Sequence, residues 1–306
     1  LFYSDSNTIT NITASDNNHG FYLGESNSNT LTNSTFSENS GYDFYIYGSD
    51  SNCNNYLSNI NGSGNRPIGY YNYSANIEDQ TFSELVLCNA DNSNVTNVTI
   101  EGSSTKNNML HLSRTSGTNL TGVNSSNNYY GLYLSRSGSN NLTNITASSN
   151  NYYGLRLYRS HSNTLTNITA SDNDNDGLYL ESSDSNKLTD ITASGNTDGL
   201  YLRYSDSNTV NNSIFQDNSG HGIQLDDAGQ SGDNKIYNCL LNNTDNVYFS
   251  GTVYSNDWNT TNQTGTRIYS DGNYIGGNYW TNSTGNDFSD TCDDTDHDGF
   301  CDQVYD

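Results

Sequence analysis

Carboxylates alternate near the C-terminus in the run Asp294-x-Asp296-x-Asp298-Gly299-x-x-Asp302. Oxygen donors at the first, third, fifth and ninth positions, a backbone carbonyl near Phe300 and a glycine for the sharp turn suit a hard cation, Ca²⁺ above all. Asp290 and Asp293 are available to complete the shell. Cys292 and Cys301 flank the loop and are expected to close it as a disulfide.

A second group of residues bears on catalysis. Asp226 and Asp227 are adjacent carboxyls that could divide acid and base roles if one pKa were raised. Gly220-His221-Gly222, Asp226-Asp227, Asn243-Thr244-Asp245 and Arg267-Ile268 resemble fragments of polygalacturonase motifs, but in that family the Asn-Thr-Asp segment comes first. With 53 Asn and 27 Gly in the chain, such fragments arise by chance. Asp226, Asp227, His221 and Asp245 are therefore the nearest approach to a catalytic set, and the expectation is that the chain is not an enzyme. A lyase base would be Lys or Arg, and the chain has only 10 of these. His19, His111, His161, His221 and His297 are dispersed, with no zinc-ligand spacing.

The chain around these residues has 306 positions, with 34 acidic against 10 basic side chains and a formal charge of −24. Such a surface repels nucleic acid. No apolar run approaches the ~18 residues of a membrane span. Hydrophobic residues are 31%, a level that reads as disorder in bulk, yet 25 Tyr are present and the Leu, Ile and Val are ordered along the chain. The first residue is Leu1, so the chain reads as processed or cut from something longer.

The ordering is a repeat. Ser-Asn pairs recur at Ser6-Asn7, Ser28-Asn29, Ser139-Asn140, Ser162-Asn163, Ser185-Asn186 and Ser207-Asn208, in steps of 22 or 23 residues or multiples near them. Each unit contains three strand-like pieces. The first places one apolar residue inward (Ile9, Leu31, Leu142, Leu165, Leu188, Val210), the second another (Ile12, Ile145, Ile168, Ile191). The third alternates with period two, from Leu132/Leu134 through Leu155/Leu157, Leu178/Leu180 and Leu200/Leu202 to Ile223/Leu225. A turn Asn recurs as Asn17, Asn39, Asn150, Asn173, Asn196 and Asn218, with Asn127 or Asn128 in the unit between. Coils stacked ~4.8 Å apart would let these side chains bond one another in a ladder. The fold expected is all-β: a right-handed single-stranded parallel β-helix, a solenoid of three strands per coil, ending in an irregular calcium loop. About thirteen coils at ~4.8 Å each would give a rod roughly 60 Å long. Residues 1–254 are read as the β-helix, with a loop insertion near 62–83 that holds the single Pro; 255–286 as a final irregular coil and tail; 287–306 as the Asp-rich calcium loop.

Units of the form SNTLTNITAS, then Gly277-Asn278-Tyr279-Trp280, then the acidic tail, resemble NosD-like and carbohydrate-binding or sugar-hydrolase-type β-helix proteins. They are most similar to surface proteins of methanogenic archaea. The acidic loop lacks the Glu of an EF-hand at its twelfth position, where Tyr305 stands, and is more similar to thrombospondin type 3 or dockerin loops. The resemblance covers nearly the whole chain and implies a fold more than an activity.

Other features bear on the exterior. Cys53 and Cys88 fall near a turn of one coil and are available to pair, whereas Cys239 occupies an inward position. Sixteen Asn-x-Ser/Thr sequons occur, at Asn11, Asn33, Asn61, Asn72, Asn94, Asn97, Asn119, Asn124, Asn141, Asn144, Asn167, Asn211, Asn242, Asn259, Asn262 and Asn282. Where the intervening Ile or Leu points inward, the Asn points outward to carry an N-linked glycan. Tyr22, Tyr45, Tyr133, Tyr179 and Tyr201 form an outward stripe, interrupted by Arg156, that reads as a supporting stack before a sugar platform. Leu1-Phe2-Tyr3-Ser4-Asp5 matches a third strand, so the chain is expected to begin inside a rung that another copy could extend. The reading is an extracellular structural glycoprotein of an envelope, sheath or filament, holding Ca²⁺ and assembling with copies of itself. Its alternative is a β-helix protein that binds or degrades cell-surface polysaccharide.

Overall fold

The computed structural model describes residues 1–226, 232–252, 255–269, 272–295 and 301–303. The chain is a right-handed parallel β-helix. One sheet of fourteen strands, running from Asn76–Glu78 to Tyr279–Thr281, carries the first and second pieces of each coil. A nine-stranded sheet, from Ile68–Tyr71 to Asp245–Ser250, carries the third. Like residues stack on like: Leu142, Leu165, Leu188 and Val210 are successive partners, as are Leu155, Leu178, Leu200 and Ile223. All eight are fully buried, each contributing about 1.5–3 kcal/mol.

The corners explain the Asn content. Asn97 (φ 53°), Asn144 (φ 56°), Asn167 (φ 54°) and Asp190 (φ 56°) bend the chain between the first and second pieces in the left-handed region. Short polar side chains tolerate that region at low cost. Inside, Asn150, Asn173, Asn196, Asn218 and Asn243 each use the side-chain oxygen to accept from the rung before, in bonds of 2.8–3.2 Å. Asn128, not Asn127, joins this column, and Asn39 accepts from Asn17 in the N-terminal rungs. The Ser-Asn pairs, with Asp233-Asn234, hide a second ladder: Asn140, Asn163, Asn186, Asn208, Asn234 and Asn256 are linked in the same way.

Two expectations on boundaries are corrected. Residues 62–83 are not a loop insertion: Ile68–Tyr71, Asn76–Glu78 and Thr81–Phe82 are solenoid strands in a shortened rung, paired with Glu84–Cys88, Asn94–Thr96 and Thr99–Ile100. Residues 255–286 are not wholly irregular, because Tyr279–Thr281 pairs with Leu240–Asn242 and Trp280 enters the core. Among the described residues the third piece recurs in nine strands of one sheet and two of another, fewer rungs than the thirteen expected. Ile12, read as inward, is 42% exposed, and Ser34 takes the facing position on the next rung.

The solenoid also has two cores. Residues 1–61 form their own short unit, whose core of Leu23, Leu31, Phe36, Phe44 and Ile46 is distinct from the main one. Strand Glu84–Cys88 serves both: Leu85 and Leu87 face the main core, whereas Val86 and Cys88 face the N-terminal core. Such two-sided burial is what a continuous apolar run in a parallel strand implies. The Cys53–Cys88 disulfide fastens the joint. Asp43 lies buried there, its carboxylate accepting from Asn39, Asn107, Asn108 and Ser63.

Candidate functional site

Two residues ahead of the first inward side chain of each third piece (Leu132, Leu155, Leu178, Leu200, Ile223) stands a column that changes character along the axis. At one end it is aromatic: His19 stacks on Tyr42 at 5.4 Å, and Tyr130 on Tyr153 at 5.5 Å. It continues as Asp176, Asp198, His221 and Asp245. Rung-to-rung backbone bonds fix this succession: Gly154 N–H donates to Asp176 O, Gly177 N–H to Asp198 O, and Gly199 N–H to His221 O. The glycines are required by close approach, since a Cβ on Gly199 would lie 2.6 Å from Gly222 O.

Two outward columns of the nine-stranded sheet run beside it. The middle one holds Tyr179, Tyr201, Gln224 and Tyr248; the outer one Glu181, Arg203, Asp226 and Ser250. The groups interlock. Asp198 Oδ1 accepts the His221 backbone N–H at 2.7 Å and faces its Nδ1 at 2.9 Å. Asp176 Oδ1 accepts from Asp198 N–H at 3.3 Å. His221 stacks on Tyr248 at 4.6 Å. Tyr201 donates to Asp226 at 3.2 Å, and Arg203 pairs with the same carboxylate at 3.4 Å. Arg156 bonds Glu181 at 3.0 Å and lies over the rings of Tyr133 and Tyr179.

Burial, and next the neighbouring Asp198 carboxylate, push the Asp176 carboxyl up to about 7. Burial and then Asp226 hold the Tyr201 phenol above its ordinary value. The face thus places a carboxyl that exchanges protons near neutrality beside a hydrogen-bonded Asp–His pair, flanked by phenols and a paired arginine.

Three of the four residues nearest to a catalytic set in the sequence, His221, Asp226 and Asp245, lie on this face without converging; Asp227 lies outside the described residues. Asp176 and Asp198 were missed. Their signal is the substitution of Asp for Tyr before GLYL when the repeats are set in register. The Tyr stripe also contains His111, which stacks between Tyr45 (5.6 Å) and Tyr133 (5.0 Å). Tyr22 and Tyr45 are neighbours at 5.2 Å, and Tyr179 and Tyr201 at 5.0 Å, both pairs tilted.

Other expected sites are placed as follows. Cys292 is bonded to Cys301, and Cys239 is a buried free thiol pushed up to about 12 by desolvation. In the acidic loop, Asp296, Asp298 and Phe300 lie outside the described residues. Asp302 N–H donates to Asp293 O, and Asp302 Oδ2 accepts from Thr295 N–H. Asp290 does not turn toward that loop: its oxygens accept from Tyr279, Thr281 and Asp287 N–H, where they cap the short helix Phe288–Thr291. The sequon residues Asn11, Asn33, Asn94, Asn97, Asn119, Asn124, Asn141, Asn144, Asn167, Asn259 and Asn262 are exposed; Asn61, Asn72, Asn211, Asn242 and Asn282 are half-buried. A cleft of about 610 Å³ between the N-terminal unit and the main solenoid is lined by Glu38, Arg66, Glu101 and Asn127. There Arg66 is committed to the Glu101 and Gly102 carbonyls, so no acid–base set converges.

A right-handed β-solenoid with an ionisable column along one face defines the class. The chain belongs to the family described as periplasmic copper-binding protein (NosD), whose model matches residues 73–285. No curated protein matches it. Among solved structures it is similar to the periplasmic alginate epimerase AlgG (12% identity, 82% of this chain and 74% of that one, TM-score 0.46). It is also similar to pectate lyase Pel9A (15%, 80% and 64%, 0.41) and to the A-module of the Azotobacter vinelandii mannuronan C-5 epimerase AlgE6 (11%, 82% and 77%, 0.35). At these values no function is read from them.

Copper, which the family description names, does not fit the described residues. No three His, Cys, Asp or Glu side chains among them converge as a metal set. Of the soft donors, His111 is enclosed between two Tyr rings and Cys239 is buried in the main core. His19, His161 and His221 are engaged separately, with Tyr42, Asp184 and Asp198.

Proposed function

We propose that this is an extracytoplasmic polysaccharide-binding protein that holds a glycan chain along the outer face of the nine-stranded sheet. The observation that carries this reading is the three-column grid from Asp176 to Ser250, where each rung presents three side chains drawn from phenol, amide, guanidinium, imidazole, hydroxyl and carboxyl groups. A polymer with a short, regular hydroxyl repeat is a natural complement to such a surface. The charge of −24 favours a neutral polymer over a polyanion. Two disulfides agree with an oxidising compartment. Affinity electrophoresis in gels containing a β-glucan, a xylan, a mannan or a polyuronate tests the reading. Retardation by a neutral polymer, weakened by Tyr201→Ala and Arg203→Ala, is expected; unchanged mobility in every gel would overturn it.

A second reading, a structural envelope glycoprotein, draws on the exposed Asn94, Asn119 and Asn141, which are sequon residues stacked on successive rungs. Peptide mapping of native material for N-linked glycans separates it from the first. In either case the acidic loop around Asp293, Asp294 and Asp302 is proposed to take Ca²⁺, which calorimetric titration of the intact chain would check.

A further inference from the structure

We propose that Asp176 and the Asp198–His221 pair form an acid–base site that hydrolyses a glycosidic bond in a polysaccharide lying along the solenoid axis. This rests on the polysaccharide reading above and goes beyond binding. Asp176 and His221 are two rungs apart, which at ~4.8 Å per rung is about 9–10 Å. That is the backbone spacing; the Asp176 carboxylate itself reaches along the axis to Asp198 N–H, at 3.3 Å, and an acid and a base that invert a sugar must leave room between them for a water. Asp198 lies between them and is a positioning residue: its Oδ1, 2.9 Å from His221 Nδ1, holds the proton on Nδ1 and leaves Nε2 free as a base. Tyr248, stacked on His221, fixes the imidazole plane. On the other side Tyr153, stacked on Tyr179, stands one rung from Asp176 and bounds the shelf.

The step balances without any further reagent. The Asp176 carboxyl gives its proton to the glycosidic oxygen as the C1–O bond breaks. Water attacks C1 from the opposite side, and its proton passes to His221 Nε2. Solvent then returns the proton from the imidazolium to Asp176. One water is consumed, one new reducing end appears, and the anomeric configuration inverts. A carboxyl that titrates near neutrality is suited to the acid role, and burial among Tyr153 and Asp198 supplies that property.

The test uses the intact chain on the neutral polymers named above, with reducing-end release and binding measured side by side. Release is expected from a polymer that binds, with the product's anomer inverted by NMR. Asp176→Asn and His221→Gln should each lower kcat by about 100-fold or more while binding persists. Asp198→Asn should lower kcat more than it raises KM. The His221 side chain is 23% exposed, more than that of Asp198, so its variant remains informative if Asp176→Asn disturbs the rung. Binding without hydrolysis, or hydrolysis that survives both substitutions, would overturn this inference alone. No binding to any polymer would overturn it together with the reading beneath it.

Discussion

The imidazole of His111 lies against the ring of Tyr133 at 5.0 Å, with their planes 8° apart. Tyr45 covers its other face, and neither ring nitrogen has a hydrogen-bond partner. Burial pushes this histidine down to about 3. Its unfolded form takes up a proton below 6.5, whereas the folded form stays neutral, so stability is full above 6.5 and is lost as pH falls toward 3. His111→Phe keeps the stack and removes the orphaned nitrogens. The variant should melt at or above the parent temperature at neutral pH and lose less stability on acidification. Thermal melts across that range that run parallel for the two proteins would refute the argument.

Glu84 titrates in the opposite sense. It is fully buried at the joint, with Oε2 accepting from Phe44 N–H at 2.8 Å and Oε1 unpartnered. Burial, and then the Asp43 carboxylate, raise its pKa well above the ordinary 4.5. The folded state therefore holds a proton that the unfolded state releases, and stability falls as pH rises above 4.5. Glu84→Gln should match the parent in acid and exceed it at alkaline pH. Hydrogen exchange at Phe44 would report the difference at the joint itself, and equal exchange at high pH would count against it.

The buried Asn columns set a contrast between chemically identical substitutions. Asn163 accepts from both the backbone and the side-chain amide of Asn140, at 2.9 and 3.1 Å. Asn163→Ala leaves those donors without an acceptor, at about 1–3 kcal/mol for each orphaned group. Asn141, on an outward position of the same coil, is exposed, and Asn141→Ala should stay within about 0.5 kcal/mol of the parent. Denaturant midpoints for the pair measure the gap; similar midpoints would mean the ladder adds little.

How far the fold was legible follows from these positions. The inward Leu rows were readable because period two within a strand and the coil period coincide, as at Leu155/Leu157 and Leu178/Leu180. The Ser-Asn pairs were equally visible, and the sequon Asn141-Leu142-Thr143 marks Asn141 as outward, but nothing local shows that Asn163 is buried in a ladder. Residues 62–83 misled because Pro67 and a short spacing mimic an insertion, whereas pairing of Asn76–Glu78 with Asn94–Thr96 needs only a shorter rung. The two-sided burial of Glu84–Cys88 depends on contacts between segments distant in sequence. Asp176 and Asp198 become visible as neighbours only once register is known, since neither follows from a local motif.

The joint yields a last prediction. Cys53–Cys88 closes a loop of sequence separation 35 and ties the N-terminal unit to strand Glu84–Cys88. Chain-entropy arguments give such a link about 4 kcal/mol against full unfolding. The N-terminal core and the main core are separate clusters, so loss of the link should be felt unequally. With Cys53→Ser and Cys88→Ser together, residues 1–61 lose their covalent tie to the strand that both cores share. The main solenoid keeps its own Leu rows and Asn ladders. Limited proteolysis should then cut first within 1–61 and leave a resistant fragment beginning near Ile68, while the parent resists at both ends. A single cooperative loss of the whole chain in the double variant would show that the shared strand alone makes the two units one.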